Sequence, residues 1–313
     1  MPIPVGISGS RGAAVLGLSP FRTPVSVWLE IMGPEFCAAH NFEFPVFEGN
    51  AATRFGQAFE AAILALTEKK YGLPITDRQA FYEDENITCH LDGIMGDAII
   101  EAKTTTDYIF SYEWGEEGSG RIPISYQIQI NHNAYLANKS RAIVPVLIFP
   151  RRQSVMEEEG ITPENIDVES WASVLNEMGY LKYYEIAAHK ELQTLMLAHY
   201  REWWERHVIG RTAPEPRTYD DIKALCREPV GTIIATEEIE RLIAERDQIN
   251  SEIGDGGSLR KRSDQIRVSV LDWMRGADST LDDDSEKKWV LRGRDGKKLA
   301  QYGADKNGRF IFR

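Results

Sequence analysis

The segment from Ile87 to Thr104 constrains the chain most. Ile87-Thr-Cys-His-Leu-Asp92 and Ala98-Ile-Ile-Glu-Ala-Lys-Thr104 both alternate with period two around the turn residues Gly93 and Gly96-Asp97, which predicts the two strands of a β-hairpin. Strand side chains alternate between faces, so Glu101 and Lys103 project from one face, with Ile99 before them. An acid and an amine side by side beyond an isoleucine have two readings. One is a surface ion pair on an edge strand, with Asp92 a turn residue next to Gly93; such exposed pairs are common and weak. The other is a site. Asp92 ends the preceding strand, a short connection brings it near Glu101, and two close carboxylates repel unless a proton or cation intervenes.

The flanking sequence predicts helices and one buried strand. Ser8 to Gly17 reads as a short capped helix and Val25 to Met32 as another, with Trp28 on its apolar side. From Thr53 to Tyr71, Phe55, Phe59, Ile63 and Leu66 fall at helical spacing, Gly72-Leu-Pro74 is the stop, and Glu60 lies beside the inward face. Ser125 to Leu136 is helical after Pro123. Ala142 to Phe149 suits a buried strand, in which Pro145 favours an edge or a bulge. Ser170 to Val208 reads as helical throughout, and Thr212-Ala-Pro-Glu-Pro216 as a linker. Thr236 to Ile253 and Leu259 to Met274 form a helical hairpin around Gly254-Asp-Gly-Gly257, followed by a β-rich tail with Asp295-Gly296 as its turn. The expectation is a mixed α/β fold with a central mixed sheet flanked by helices. Its domains would be residues 1–210, a linker at 211–235, and a C-terminal helical hairpin with a small β-hairpin extension at 236–313.

Charge and residue counts narrow the function classes. The 313 residues carry a net charge of −12, which argues against broad coating of nucleic acid but leaves room for a local basic channel or an acidic metal site. Residues 1–254 carry −16 and residues 255–313 carry +4, so the tail is a separate electrostatic object. From Lys287 to Arg313 nine basic residues interleave with Trp289, Tyr302, Phe310 and Phe312, either a solvated hairpin packed on the helical pair or a contact for DNA or a partner. The acidic tracts Glu157-Glu158-Glu159 and Asp282-Asp283-Asp284 read as solvated loops. Cys37, Cys89 and Cys226 lack C-x-x-C spacing, and the histidines lack H-E-x-x-H spacing, which removes zinc and iron–sulfur chemistry. No Walker A loop or dinucleotide fingerprint is present. Without an apolar run of about 18 residues or a signal-peptide pattern at the start, the expectation is a cytoplasmic protein with no membrane contact.

Several motifs then occur in a recognisable order. Gly9-Ser10-Arg-Gly-Ala-Ala-Val-Leu-Gly-Leu-Ser-Pro-Phe21 with Thr23-Pro24 and Trp28 opens the chain, followed by Gly56-x-x-x-Glu60, Asp92-Gly93, Glu101-Ala-Lys103 and Tyr126-Gln127-Ile-Gln129. This series resembles the PD-(D/E)XK nuclease superfamily, and within it the lambda exonuclease or YqaJ viral recombinase family, over roughly residues 5–210. The resemblance implies a restriction-endonuclease-like core. It implies that Asp92, Glu101 and the Ala102 carbonyl hold Mg2+, with Mn2+ as a substitute, and that Glu60 joins directly or through water. Lys103 would assist the nucleophile and Gln127 would position water or phosphate. A bound cation makes water more acidic and offsets charge at the scissile phosphate. Ile3 stands where lambda-type enzymes carry an arginine for the terminal 5′-phosphate, and His90 replaces a serine. Ser10, Arg11 and His90 are therefore the candidate phosphate contacts.

The implied activity is a metal-dependent exonuclease acting 5′ to 3′ on linear double-stranded DNA ends and leaving single-stranded tails for phage-type recombination. The resemblance also implies a homo-oligomer, a trimeric ring around the duplex, a single-strand annealing protein as partner, and a phage or prophage origin in a bacterial host. Two alternatives stay open: a non-catalytic DNA-end or partner-binding module of the same fold, and an endonuclease of the same superfamily.

Overall fold

The computed structural model describes residues 6–252, 257–281, 285, 287–305 and 309–313. Ile3, the Asp282–Asp284 tract and most of the Gly254–Gly257 turn lie outside them. The chain forms two compact units, one of residues 1–21 and 46–206, the other of residues 22–45 and 207–313. Residues 22–45, expected within the first domain, group with the C-terminal unit.

In the first unit a small sheet has the order β1 (Ile7–Ser8), β3 (Ile87–His90), β2 (Phe81–Asp84). The main sheet is built from β4 (Gly93–Met95), β5 (Ala98–Ile100), β6 (Lys103–Thr106), β7 (Arg141–Phe149) and β8 (Leu181–Ala187). Strands β5 and β6 run parallel to β7 in one register, Ile100 opposite Ile143 and Lys103 opposite Val146, and β8 runs antiparallel along the other edge of β7. This is the expected mixed sheet, with two corrections. The hairpin partner of Ala98–Ile100 is Gly93–Met95 across Gly96-Asp97, and Ile87–His90 belongs to the small sheet. Pro145 lies in the central strand and not at an edge. It has no N–H to give the neighbouring strand, and the parallel ladder lapses opposite it, between β5 and β6.

Helices cover both faces of the main sheet. Helix α3 (Ala51–Tyr71) is capped by the Asn50 side chain, which accepts from Thr53 N, and it ends at Gly72 in the left-handed region (φ 66°) with Lys69 and Lys70 in its last turn. Its residues Phe55, Phe59 and Ile63 pack with Ile100, Ile143, Leu147 and Phe149, and α7 (Val168–Glu177) joins them through Ala172 and Leu175. On the opposite face α5 (Ile124–Leu136) buries Ile130 and Ala134 against Ile99, Val144, Val146 and Tyr184. Short helices α1 (Gly9–Val15), α4 (Asp107–Glu113) and α6 (Gln153–Glu158) and the longer α8 (Lys190–Trp203) complete the unit. The stretch 170–208 is therefore not one helical run. Gly179, at φ 80°, turns the chain into β8, whose Tyr183 and Tyr184 are core residues.

The second unit contains α2 (Pro24–Ala39), which starts at a capping box between Thr23 and Ser26 and is broken at Gly33 (φ 85°) before Pro34. Trp28 Nε1 donates to the His207 carbonyl at 2.7 Å. The segment 211–235, expected as linker, holds α9 (Tyr219–Leu225) and β9 (Gly231–Ile234). A four-stranded sheet of order β12 (Phe310–Phe312), β11 (Lys298–Ala304), β10 (Lys288–Arg292), β9 packs against α10 (Glu237–Glu252) and α11 (Gly257–Gly276). Trp289, Tyr302 and Phe312 enter that core with Ile243, Ile266 and Leu271, so the aromatics of the basic tail are packing residues. Among the described residues no helix is long and apolar enough to cross a membrane.

Helix α1 is docked at a glycine. A Cβ built on Gly12 would stand 2.2 Å from the hydroxyl of Tyr200, which is 1% exposed and cannot swing away. Alanine is the better helix former by about 1 kcal/mol, so propensity alone favours Gly12→Ala. We expect the overlap to win and the variant to lose about 1–3 kcal/mol. Urea unfolding checks this, and a more stable variant would show that α1 does not pack closely on α8.

Candidate active site

The site forms where two ladders stop. The antiparallel pairing of β4 with β5 ends at Gly93 opposite Ile100, and the next outward-facing amide, Ala102 N, donates to Asp92 Oδ2 at 2.7 Å. On the other edge Glu101 N still reaches the Ile143 carbonyl at 3.1 Å, but the ladder then lapses at Pro145. Glu101 turns its side chain toward α5 and is 3% exposed. Its Oε1 accepts from Lys103 Nζ at 2.7 Å and from Gln129 Nε2 at 2.5 Å, and its Oε2 accepts from Asn133 Nδ2 at 2.9 Å. Gln129 and Asn133 are one helical turn apart on α5, so both amides point to one carboxylate. A buried charge is tolerated only when paired and hydrogen-bonded in this way. The reading of Glu101 and Lys103 as an exposed surface pair does not describe this arrangement.

A strap over the Asp92 turn brings in the third carboxylate. Thr76 and Ile94 exchange two backbone hydrogen bonds of 2.8 Å, and Leu91 N donates to the Ala80 carbonyl at 3.0 Å, so residues 76–80 are tied down on both sides of Asp92. The strap passes so close that a Cβ on Gly93 would lie 2.1 Å from Ile75 Cγ2; the residue after Asp92 is a glycine for that reason. Within the strap Asp77 and Gln79 adopt left-handed φ values of 49° and 56°, a conformation that costs non-glycine residues energy and gathers at functional sites. Gln79 Nε2 donates to Glu60 Oε1 at 2.7 Å. Helix α3 supplies Glu60 and the strap holds it.

The three acids feel one another. Burial first, then the charge of Glu101, push the Asp92 carboxyl up to about 7; Lys103 and the Ala102 amide oppose this and Glu60 adds to it. Glu60 is also raised, by burial and by Glu101. Burial works against the charge of Lys103, but Glu101, Asp92 and Tyr126 outweigh it and raise its pKa. Its Nζ lies 5.2 Å from the centre of the Tyr126 ring. Lys103 is thus a firmly held cation.

Residues 4–140 match the YqaJ-like viral recombinase domain. The uncharacterized protein YqaJ of Bacillus subtilis (strain 168) is 32% identical over 133 residues, which are 41% of this chain and 38% of that relative. The chain thus spans well under half of the curated relative that it matches. Among solved structures it is similar to an alkaline exonuclease from Laribacter hongkongensis, at 15% identity and a TM-score of 0.44, covering 66% of this chain and 93% of that one. It is also similar to a phage related exonuclease from Haemophilus somnus 129PT, at 14% identity and a TM-score of 0.41, covering 66% and 96%.

Within the matched stretch, residues 4–140, Asp92, Glu101, Lys103 and Glu60 come together. The other sequence candidates have different surroundings. Gln127 Nε2 donates to the Ile122 carbonyl at 2.9 Å; Gln129, two residues on, is the one bound to Glu101. Ala102 meets Asp92 through its amide. Ser10 lies in the first turn of α1, its hydroxyl 3.1 Å from that of Ser8. A Cβ on the preceding Gly9 would be 2.2 Å from Asn133 Oδ1, so this turn abuts the network around Glu101. Arg11 Nη1 donates to the Gly6 carbonyl at 2.9 Å. His90 is exposed, with its ring 4.9 Å from that of Phe81, and alternates with the buried Cys89. Asp92 lies past the end of β3, where strand alternation no longer assigns it the face of His90. Sequence reasoning quoted Gln129 in a motif without giving it a role, and missed Asn133 and Gln79 as site residues. The spacing of four between Gln129 and Asn133 was a usable signal; nothing local marks Gln79.

Among the described residues no three acidic, histidine or cysteine side chains converge in ligating geometry, because Glu101 turns its oxygens to Lys103, Gln129 and Asn133, and Glu60 turns one to Gln79. The donor chemistry nevertheless fits a hard divalent cation, which binds through one or two carboxylates and retains water. Asp92 raised to about 7 beside Glu101 and Glu60 marks a place short of positive charge. The sign of the pH dependence follows. The folded chain binds this proton more tightly than the unfolded chain, so the contribution of Asp92 to stability is present below about pH 4 and is lost as pH rises through about 7. Asp92→Asn keeps an acceptor for Ala102 N and removes the charge. In chelator at pH 8 we expect it to stabilise the fold by about 1–3 kcal/mol, with the gain shrinking toward pH 4. Urea unfolding at both pH values tests this; a variant less stable than wild type at pH 8 would contradict it.

Proposed function

We propose that the chain is a divalent-metal-dependent DNA exonuclease that degrades linear double-stranded DNA from 5′ to 3′ and leaves single-stranded tails for phage-type recombination. The observation that carries this reading is the buried pairing of Glu101 with Lys103 where the ladders stop, beside Asp92 and in the stretch that matches a YqaJ-like domain. Asp92 and Glu101 would hold Mg2+, or Mn2+ in its place, with Glu60 as an outer carboxylate. Such a cation, when bound, offsets charge on the scissile phosphate and makes an attacking water more acidic.

The roles of the side chains follow from their surroundings. Lys103, paired with Glu101, would assist the attacking water or steady a non-bridging phosphate oxygen. Gln129 and Asn133 fix the rotamer of Glu101, and Gln79 fixes that of Glu60. Ser10, in the turn that abuts Asn133, would contact a phosphate neighbouring the one cut, and Gln127, whose carbonyl oxygen is left for it, would orient water. None of these groups reads a base, which suits an enzyme that must travel along any sequence. A trimeric ring of this acidic chain would concentrate basic residues on an inner wall, and light scattering is expected to give three times the 35.4 kDa chain mass.

The deciding assay is digestion of linear duplexes labelled at the 5′ or 3′ end, with and without a 5′-phosphate, beside a closed circle, in Mg2+ or chelator. Linear DNA should lose its 5′ label first, the circle should survive, and chelator should stop the reaction. Asp92→Ala and Glu101→Ala should abolish turnover, and Lys103→Ala should slow it by roughly 10²-fold or more. Cutting of the closed circle would make the chain an endonuclease. Tight binding of ends with no digestion would make it a binding module.

A further inference from the structure

Helix α4 begins one residue after β6, and its outer side is aromatic. Tyr108 is 62% exposed and Tyr112 67% exposed, one turn apart, with ring centres 5.0 Å from each other at an interplanar angle of 57°. Ile109, 41% exposed, lies beside them. The guanidinium of Arg152, at the start of α6, stands 5.9 Å from the centre of the Tyr108 ring. Single exposed aromatics are ordinary, but two on one turn with a cation over one of them form a patch that water solvates poorly. The patch is close to the chemistry. Tyr108 is five positions after Lys103, a reach of at most about 18 Å.

We propose that Tyr108, Tyr112 and Arg152 form a platform on which unpaired bases of a DNA strand stack beside the candidate active site. The ligand's identity rests on the nuclease reading above. The charges around the rings favour bases over backbone as the main contact. Asp107 and Glu113 flank the tyrosines on α4 and oppose a phosphate track, while Arg152 supplies a single cation. Aromatic faces take any base, so the platform matches a sequence-independent enzyme. It would hold the strand after it has left its complement, because a paired base offers no free face.

The test uses the full chain in chelator, so that DNA is bound and not cut, with a single-stranded oligonucleotide carrying 2-aminopurine as the probe. Wild type should quench the probe. Tyr108→Ala with Tyr112→Ala should weaken binding about tenfold or more and remove the quench, with the salt dependence unchanged. Tyr108→Phe with Tyr112→Phe keeps both ring faces and should bind as wild type does. Arg152→Ala should flatten the dependence of log affinity on log salt by about 0.7. Unchanged affinity and quench in the double alanine variant would overturn the platform. So would a loss of binding matched by a loss of oligomer mass, which would make the patch a contact between copies of the chain. A chain whose tyrosines bind as expected but which leaves linear DNA intact in Mg2+ would sink only the nuclease reading. Normal digestion with unchanged binding by the alanine variant would sink only the platform.

Discussion

A carboxylate that is 3% exposed cannot remain charged unless its surroundings supply donors on every side. Much of the first unit is organised to supply them to Glu101. Helix α5 is locked over the sheet with Gln129 and Asn133 aimed at the two oxygens, and β6 resumes at the residue whose amine closes the cluster. Helix α1 can approach Asn133 only because residue 9 has no side chain. The same helix α5 fixes β3 through His132, whose Nε2 meets the Thr88 carbonyl at 3.0 Å. Burial lowers the His132 pKa to about 4, so that contact is made by a neutral ring. The second carboxylate, Asp92, borrows a backbone amide left over by a finished ladder. Both acids sit in short connections between strands, each tied down by hydrogen bonds on either side.

Pro145 shows how a residue that weakens a sheet can serve a site. In the middle of a nine-residue strand it has no N–H to give, so the parallel ladder breaks between Ile100 and Lys103 once Glu101 N has reached the Ile143 carbonyl. The interruption coincides with the site, and β5 and β6 keep a common register on either side of it.

Much of this was legible in the chain itself, for identifiable reasons. Alternation placed Glu101 and Lys103 on one face with Ile99, and helical spacing placed Glu60 on the inner side of α3, since both depend on local periodicity. The partner of Ala98–Ile100 was misassigned because a two-residue turn at Gly96-Asp97 outcompetes a longer connection, and period-two patterns do not say which strands pair. Strand β8 was hidden because Leu181, Tyr183, Tyr184 and Ile186 are also spaced well enough for a helix; only Gly179 marked the break. Residues 211–235 looked like linker from their prolines, yet Thr218 and Asp221 form a capping box for α9 and Gly231–Ile234 adds a strand beside β10. Gln79 could not be read at all. Its role comes from a strap whose path is set by contacts with Ile94 and Leu91, far from any pattern around residue 79.

The crossing of Ile75 over Gly93 makes two distant positions one unit. A methyl group added at residue 93 must be taken away at residue 75, and the strap would then sit differently over the turn that holds Asp92. Exchanges at the two positions are expected to be strongly non-additive. Any variant that enlarges one of them is best made with a smaller residue at the other. Libraries that vary the Asp92 turn alone would therefore score the space beneath the strap before they score chemistry.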